Sequence, residues 1–369
     1  MTPRVPASDP AFMRRALALA ARARGATAPN PMVGCVLVRG GRIVGEGYHH
    51  RAGLAHAEVE ALSAAGARAR GATAYVTLEP CNHHGRTGPC TEALIAAGVA
   101  RVVAAMKDDN PGVKGGGAAR LRRAGVGVEL GLLEEEARAQ NAGFLRWSRT
   151  GRPLVTLKAA VTLDGRMATA GGDARWVTGE AARREVHRMR HAATAILVGA
   201  GTVLADDPAL TTRLPGGRRG HQPLRVVLDG RLRIPAGAQV VGPGTLVVCG
   251  QGASKAAEKR LSARGAAVLR LPDERGRVDP GLLLDELGRR GVLELLVEGG
   301  AAVHGALLGA GLVDRCAIFV APRLLGSDGV PLFSGASPAR MADALSLTGV
   351  TVRRLGDDVL IAGDLPARR

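Results

Sequence analysis

The sequence predicts an α/β protein built as two units, on three observations. Its 369 residues suffice for two domains of ordinary size, each able to bury its own core. A hydrophobic fraction of 46% excludes wholesale disorder, and 52 glycines without a three-residue period exclude a fibrous chain. Short runs rich in Val, Ile and Leu alternate with helical stretches, which is the pattern of sheets covered by helices.

Asp9-Pro10 reads as the cap and first turn of a helix over "AFMRRALALAARARG", stopped at Gly25. "PMVGCVLVRGGRIVGEGYH" holds two extended runs joined by "RGG", a hairpin from about Val33 to Tyr48. A short helix from His56, the strand "TAYVTLEP", a loop into the helix "CTEALIAAG" and the strands "RVVAAM" and "VGVEL" complete the first unit. "NAGFLRWSRTGRP", from Asn141 to Pro153, has weak periodicity and turn formers and marks the boundary, dividing the chain into 1–146 and 147–369. The second unit opens with the strand "LVTLKAAV". Further strands are expected at 193–201, 224–230, 245–250, 266–271, 293–300 and 315–322, with helices between several of them and edge strands from Leu345 to Ala362.

A formal charge of +17, carried mostly by arginine, suits anionic ligands such as phosphorylated metabolites. The basic residues form no stripe or tail, and Trp147, Trp176, Tyr48, Tyr75 and four phenylalanines are few for base stacking, so no nucleic-acid partner is expected. Five cysteines in a chain this long make no disulfide framework, and Cys35, Cys249 and Cys316 lie in apolar runs as core thiols. No signal-peptide pattern or membrane-spanning run is present, so a cytoplasmic protein without membrane partners is expected.

The loop "PCNHHGRTGPC" raises the question of a metal. Cys81 and Cys90 are spaced more widely than in a structural zinc knuckle, but "HAE" adds His56 and Glu58. His56, Cys81 and Cys90 make three ligands and leave the fourth tetrahedral position for water, whose proton Glu58 is placed to accept. That is the chemistry of hydrolytic deamination. A structural zinc held by another four of the nearby histidines and cysteines is the alternative, and it leaves Glu58 without a role. Asn30 in "APNPMVG" offers an amide to a ring edge, while a turn-forming Asn between prolines explains it equally. His49, His83 and Arg86 either contact a phosphate or cover the loop.

In the second unit, "VGAGTVLADDPALTTR" puts Thr202, Asp206, Asp207 and Arg213 just past a strand, where open α/β sheets bind ligands. "LLVEGGAAVHGALL" puts Glu298, Gly299 and Gly300 between a strand and a helix, where backbone N–H groups can hold a phosphate, although no full dinucleotide fingerprint is present. Lys158 is either a functional ammonium or a solvated strand end. Trp176 is a ligand wall or ordinary packing, and Arg190 a phosphate partner or a solvated helix residue.

"PNPMVGCVLVRGGRIVGEGYHHRAGLAHAEVEAL", "TLEPCNHHGRTGPCTEALI" and "DDNPGVKGGG" closely resemble the deaminase half of the bifunctional riboflavin-biosynthesis family RibD. "RPLVTLKAAVTLDGRMA", "RWVTGEAARREVHRMRHAATAILVGAGTVLADDPALTTR" and "LLVEGGAAVHGALL" resemble its reductase half. The resemblance implies a cytidine-deaminase-like three-layer α/β/α domain followed by a dihydrofolate-reductase-like α/β domain. It implies Zn2+ on His56, Cys81 and Cys90, Glu58 as proton shuttle, and Asn30, His49 and His83 lining the substrate pocket. In the second half it implies NADPH contacts at Ala160, Trp176, Thr202, Asp206, Gly299 and Gly300. Substrate contacts are implied at Ala174, Arg190, Leu210, Arg213 and Glu298. A phosphorylated pyrimidine substrate and a homodimer are the family expectations, and Asp206 is the first candidate to assist hydride transfer. Gly88 stands where the family usually has proline, Ala174 where it usually has serine, and Thr162 keeps the hydroxyl of a common serine.

Overall fold

Helix α1 (Asp9–Ala20) carries Pro10 in its first turn, where a missing N–H costs nothing. Asp9 does not cap it, contrary to expectation. Its carboxylate is buried instead, accepting the Tyr75 hydroxyl at 2.5 Å and the Arg101 guanidinium at 2.6 Å. A charge-assisted pair satisfies a buried carboxylate. The computed structural model describes residues 8–83, 88–110, 116–217 and 220–366, and the chain divides into two compact units, Met1–Gly151 and Arg152–Arg369.

Strands β1 (Gly34–Arg39) and β2 (Arg42–Tyr48) form the expected antiparallel hairpin. Its two turn residues, Gly40 and Gly41, both have positive φ, which the strand twist favours in a two-residue turn. Helix α2 (Ala57–Ala65), strand β3 (Thr73–Val76), helix α3 (Cys90–Ala96), strand β4 (Arg101–Ala104), helix α4 (Gly117–Arg123) and strand β5 (Gly127–Leu130) follow. The sheet order is β2-β1-β3-β4-β5, antiparallel as far as β3 and parallel beyond it. A Cβ on Gly34 would lie 2.0 Å from the Ala16 carbonyl of α1, and one on Gly47 would lie 2.5 Å from the Ala57 carbonyl of α2. Gly47 pairs with Cys35, the neighbour of Gly34, so the two glycines face opposite sides of the sheet. Helices therefore cover both faces, giving the three layers. Helices α5 (Glu134–Gln140) and α6 (Ala142–Thr150) close the unit. The boundary expected at 146/147 falls inside α6. Burial of Phe144 and Leu145 holds this helix despite its weak sequence pattern.

The second unit begins with β6 (Leu154–Thr162) and β7 (Arg166–Ala168), then α7 (Glu180–Ala192), β8 (Ala195–Gly199) and α8 (Ala200–Asp206). Next come β9 (Leu224–Leu228), β10 (Thr245–Gly250), α9 (Lys255–Ser262) and β11 (Ala267–Leu271). A small ribbon of β12 (Asp273–Glu274) and β13 (Arg277–Val278) precedes α10 (Pro280–Arg289), β14 (Glu294–Val297), α11 (Ala301–Gly309) and β15 (Arg315–Ala321). β16 (Val330–Pro331) pairs with β7, and the edge hairpin of β17 (Thr348–Leu355) and β18 (Asp358–Asp364) ends the unit. The nine-stranded order is β11-β10-β9-β8-β14-β6-β15-β18-β17, parallel up to β15. The two antiparallel strands at its end are the edge strands expected from the tail. Among the described residues no helix is long and apolar enough to cross a membrane.

Candidate active sites

His56 is the extended residue that opens α2, Cys81 lies in the loop after β3, and Cys90 is the first residue of α3. These three elements bring their ligand atoms within 4.8 Å of one another, the only such cluster of three or more metal-ligating side chains among the described residues. The His56 Nδ1 atom lies 3.3 Å from the Cys90 sulfur and 3.5 Å from the Cys81 sulfur. The Cys90 backbone N–H donates to the Cys81 sulfur at 3.4 Å. Hydrogen bonds from Cys90 and His56 hold the Cys81 thiol down to about 4 against its burial, while the Cys90 thiol is pushed up. One nitrogen and two sulfurs with a thiolate already favoured fit a zinc ion and leave its fourth position open.

Glu58, the second residue of α2, is 3% exposed and hydrogen-bonds the Cys90 thiol. Burial, with the Cys81 charge adding, pushes its carboxyl up to about 7, which suits a group that takes and returns a proton near neutrality. The local fold explains its placement, because glycines at 45 and 47 let α2 lie directly on β2.

His49 is buried, with both ring nitrogens engaged. Nδ1 pairs with the Ala55 carbonyl at 3.0 Å, and Nε2 lies 3.0 Å from the Asn30 side-chain nitrogen. A proton on Nδ1 donates to Ala55, so Nε2 accepts from the Asn30 amide and leaves the Asn30 carbonyl oxygen for another donor. His83 is exposed on the loop, and Arg86 lies outside the described residues. A Cβ at Gly88 would meet nothing within 4 Å.

Sequence reasoning missed Glu79. This buried carboxylate accepts the backbone N–H of Ala118 at 2.8 Å and of Asp108 at 3.3 Å. It thereby ties the segment leading to Cys81 onto the start of α4, where a Cβ on Gly117 would lie 2.0 Å from the Pro80 carbonyl. Its only signal was an acid ending an apolar strand.

In the second unit the predicted residues border one cleft of about 740 Å³ at the carboxyl ends of parallel strands. Ala160 comes from β6, Ala174 and Trp176 from the segment before α7, and Arg190 from α7. Thr202 and Asp206 come from α8, Leu210 and Arg213 from the loop after it, and Glu298, Gly299 and Gly300 from the β14–α11 turn. Gly299 is required there, since a Cβ would come within 2.8 Å of the Val303 side chain. Gly300 opens α11, so the first N–H groups of that helix border the cleft as a cradle for phosphate.

Arg190 does not solvate its helix face. It donates to Glu298 at 2.6 and 2.9 Å and to the Thr211 carbonyl at 3.1 Å. Lys158 is likewise largely buried in the cleft, 3.7 Å from Glu298, with its ammonium lowered by desolvation. Burial alone would raise the Glu298 carboxyl, but Arg190 and Lys158 outweigh it and hold it at about 2. Trp176 is 60% exposed, a wall at the mouth with the Arg183 guanidinium 4.7 Å from its ring centre. Asp206 is raised by burial, while its backbone carbonyl accepts from Arg175. Thr162 uses its hydroxyl structurally, donating to Asp164 at 2.6 Å and accepting the Arg166 N–H at 2.9 Å.

These features define a zinc-deaminase unit followed by a reductase unit of the dihydrofolate-reductase type. Residues 6–106 match the cytidine and deoxycytidylate deaminase zinc-binding region, and residues 153–361 match the RibD C-terminal domain. The riboflavin biosynthesis protein RibD of Escherichia coli strain K12 is 46% identical over 364 residues, 96% of this chain and 98% of that protein. That of Bacillus amyloliquefaciens is 43% identical, covering 94% of each chain. The solved Acinetobacter baumannii RibD superposes with a TM-score of 0.88 at 40% identity, covering 97% of this chain and 99% of that one. A deaminase/reductase from Thermotoga maritima gives 0.84 at 35% identity, over 97% and 99%. The chain belongs to the RibD family of riboflavin biosynthesis proteins.

Proposed function

We propose that His56, Cys81 and Cys90 hold Zn2+, that Glu58 carries the proton of the deamination, and that NADPH occupies the cleft of the second unit. The enzyme is a bifunctional deaminase and reductase of riboflavin biosynthesis. Its first unit deaminates 2,5-diamino-6-(5-phosphoribosylamino)pyrimidin-4-one, and its second reduces the ribosyl chain of the product to give 5-amino-6-(5-phosphoribitylamino)uracil. The observation that carries the assignment is the convergence of three ligands within 4.8 Å beside the buried Glu58.

Zinc at this site supplies an activated water at neutral pH. Glu58 would carry one proton from the attacking water to the ring nitrogen and a second, from the hydroxyl so placed on the ring carbon, to the departing amine. Water oxygen replaces nitrogen on the ring carbon, and ammonia leaves. Asn30 presents its carbonyl to the donor edge of the pyrimidine, with His49 holding its amide and His83 at the rim.

NADPH supplies hydride to C1 of the ribosyl group. The Gly299–Gly300 turn and Thr202 cradle the cofactor, with Ala160 and Trp176 as its walls. Arg190, Leu210, Arg213 and Glu298 border the substrate, with Ala174 leaving that contact to backbone or water. Asp206 remains our first candidate to assist the proton that accompanies hydride transfer, and its raised carboxyl fits this role. The Lys158 ammonium, held by Glu298, is a second donor facing the same cleft.

Free thiols throughout the described residues fit a reducing, cytoplasmic setting. The exposed outer strand β17, with Val350 and Val352 open to solvent, fits assembly into a homodimer.

The assignment is tested by ammonia release from the diaminopyrimidine substrate, comparing the zinc-loaded enzyme with Glu58→Ala, and adding NADPH afterwards. Release that depends on Glu58, followed by NADPH oxidation only once deaminated product exists, is the expected result. Equal release from both proteins refutes the role of Glu58.

A further inference from the structure

The corner between α5 and α6 lies beyond the segment that matches the zinc-binding region, which ends at residue 106. Asn141 occupies that corner and is 2% exposed. Its Oδ1 accepts the Met32 N–H at 2.8 Å, and its Nδ2 donates to the Met32 carbonyl at 3.0 Å. Both ends of one buried amide are thus spent on one residue more than a hundred positions earlier in the chain. The adjacent Gln140 donates to the Leu17 carbonyl at 3.0 Å, so the corner is fastened at two points.

Met32 sits between the parts of the pyrimidine pocket. Asn30 lies two residues before it, its backbone N–H bonded to the Thr27 carbonyl at 2.9 Å. Val33 follows it, and the Val33 carbonyl accepts the His49 N–H at 2.9 Å. The Met32 peptide therefore lies within the short stretch that carries both the Asn30 amide and the backbone anchor of His49. If this stretch shifts, the contact from Asn30 to His49 opens and the Asn30 carbonyl loses its aim.

We propose that Asn141 is a positioning residue of the deaminase, clamping the Met32 peptide so that the Asn30–His49 pair faces the donor edge of the pyrimidine. This rests on the reading of Asn30 as a substrate contact. A clamp that only stabilises the fold would lower the amount of active enzyme without changing KM, and it would act independently of Asn30.

The test is a double-mutant cycle in the full-length, zinc-loaded enzyme with Asn30→Ala, Asn141→Ala and the double variant. Deaminase KM and kcat are measured together with bound zinc and NADPH oxidation on pre-deaminated substrate. Asn141→Ala is expected to raise deaminase KM about tenfold, the scale of one lost hydrogen bond, with kcat within about threefold. Zinc content and the reductase are expected to stay unchanged, and the double variant to show no KM increase beyond Asn30→Ala. An additive KM effect, or a loss of kcat and zinc at unchanged KM, overturns the proposal. If Asn30→Ala itself leaves KM unchanged, the substrate role of Asn30 fails first and takes this inference with it. Asn141→Asp keeps the acceptor for the Met32 N–H and loses the donor. It replaces Asn141→Ala in the cycle should that variant not fold, with the same criteria.

Discussion

Glu298 accepts two hydrogen bonds from Arg190, at 2.6 and 2.9 Å, while the Lys158 ammonium stands 3.7 Å from the same carboxylate. One largely buried anion thus serves two largely buried cations in the reductase cleft. Removing it strands both charges, so Glu298→Gln is expected to destabilise the second unit by about 3–5 kcal/mol in chemical denaturation. A loss below about 1 kcal/mol would mean that the cations find other partners.

The same carboxylate sets an acid limit. Its folded value of about 2 lies below the ordinary 4.5, so its stabilisation is fully present above about 4.5 and is lost as pH falls toward 2. Unfolding of the wild type across that window is expected to show a steeper loss of stability than Glu298→Gln. Parallel curves would refute the linkage.

Glu58→Gln retains the shape of the side chain but cannot carry the proton. Deaminase kcat is expected to fall at least about 100-fold with zinc retained, while NADPH oxidation on pre-deaminated substrate is unchanged. Zinc removal by a chelator should give the same split between activities. A parallel loss of both activities would point to unfolding rather than chemistry.

Gly47→Ala places a Cβ 2.5 Å from the Ala57 carbonyl, on the helix that carries Glu58. Overpacking of this kind costs about 1–3 kcal/mol. Thermal unfolding of the first unit should move down and deaminase activity should fall more than reductase activity. An unchanged melting temperature would show that α2 can lift without cost.

Ala174, where the sequence resemblance implies a serine, lines the reductase cleft. Ala174→Ser is expected to lower the reductase KM for its substrate about two- to tenfold by adding one hydrogen bond. No change would show that backbone or water already fills that place.

Much of this was legible in the residues. His56, Glu58, Cys81 and Cys90 announce themselves because zinc chemistry demands rare residue types in a narrow pattern, and strands such as "ATAILVGAG" are marked by unbroken apolar runs. Helix α6 was not legible, since Gly143 is a weak helix former and only the burial of Phe144 and Leu145 decides in its favour. Asp9 read as a cap because a local bond was the simplest use of an acid before a helix. Its partners Tyr75 and Arg101 come from strands far along the chain.

The sequence by itself determined the two-unit α/β organisation, the candidate cluster of His56, Cys81 and Cys90 with Glu58 beside it, and the glycines of the β14–α11 turn. Each depends on residue types in short, recognisable patterns along the chain. Only the tertiary structure decided that Arg190 and Lys158 share Glu298, that His49 is spent on Asn30 and Ala55, and that Asn141 reaches back to Met32. The pairing of buried polar groups is settled by which elements pack together, and linear order does not encode that locally.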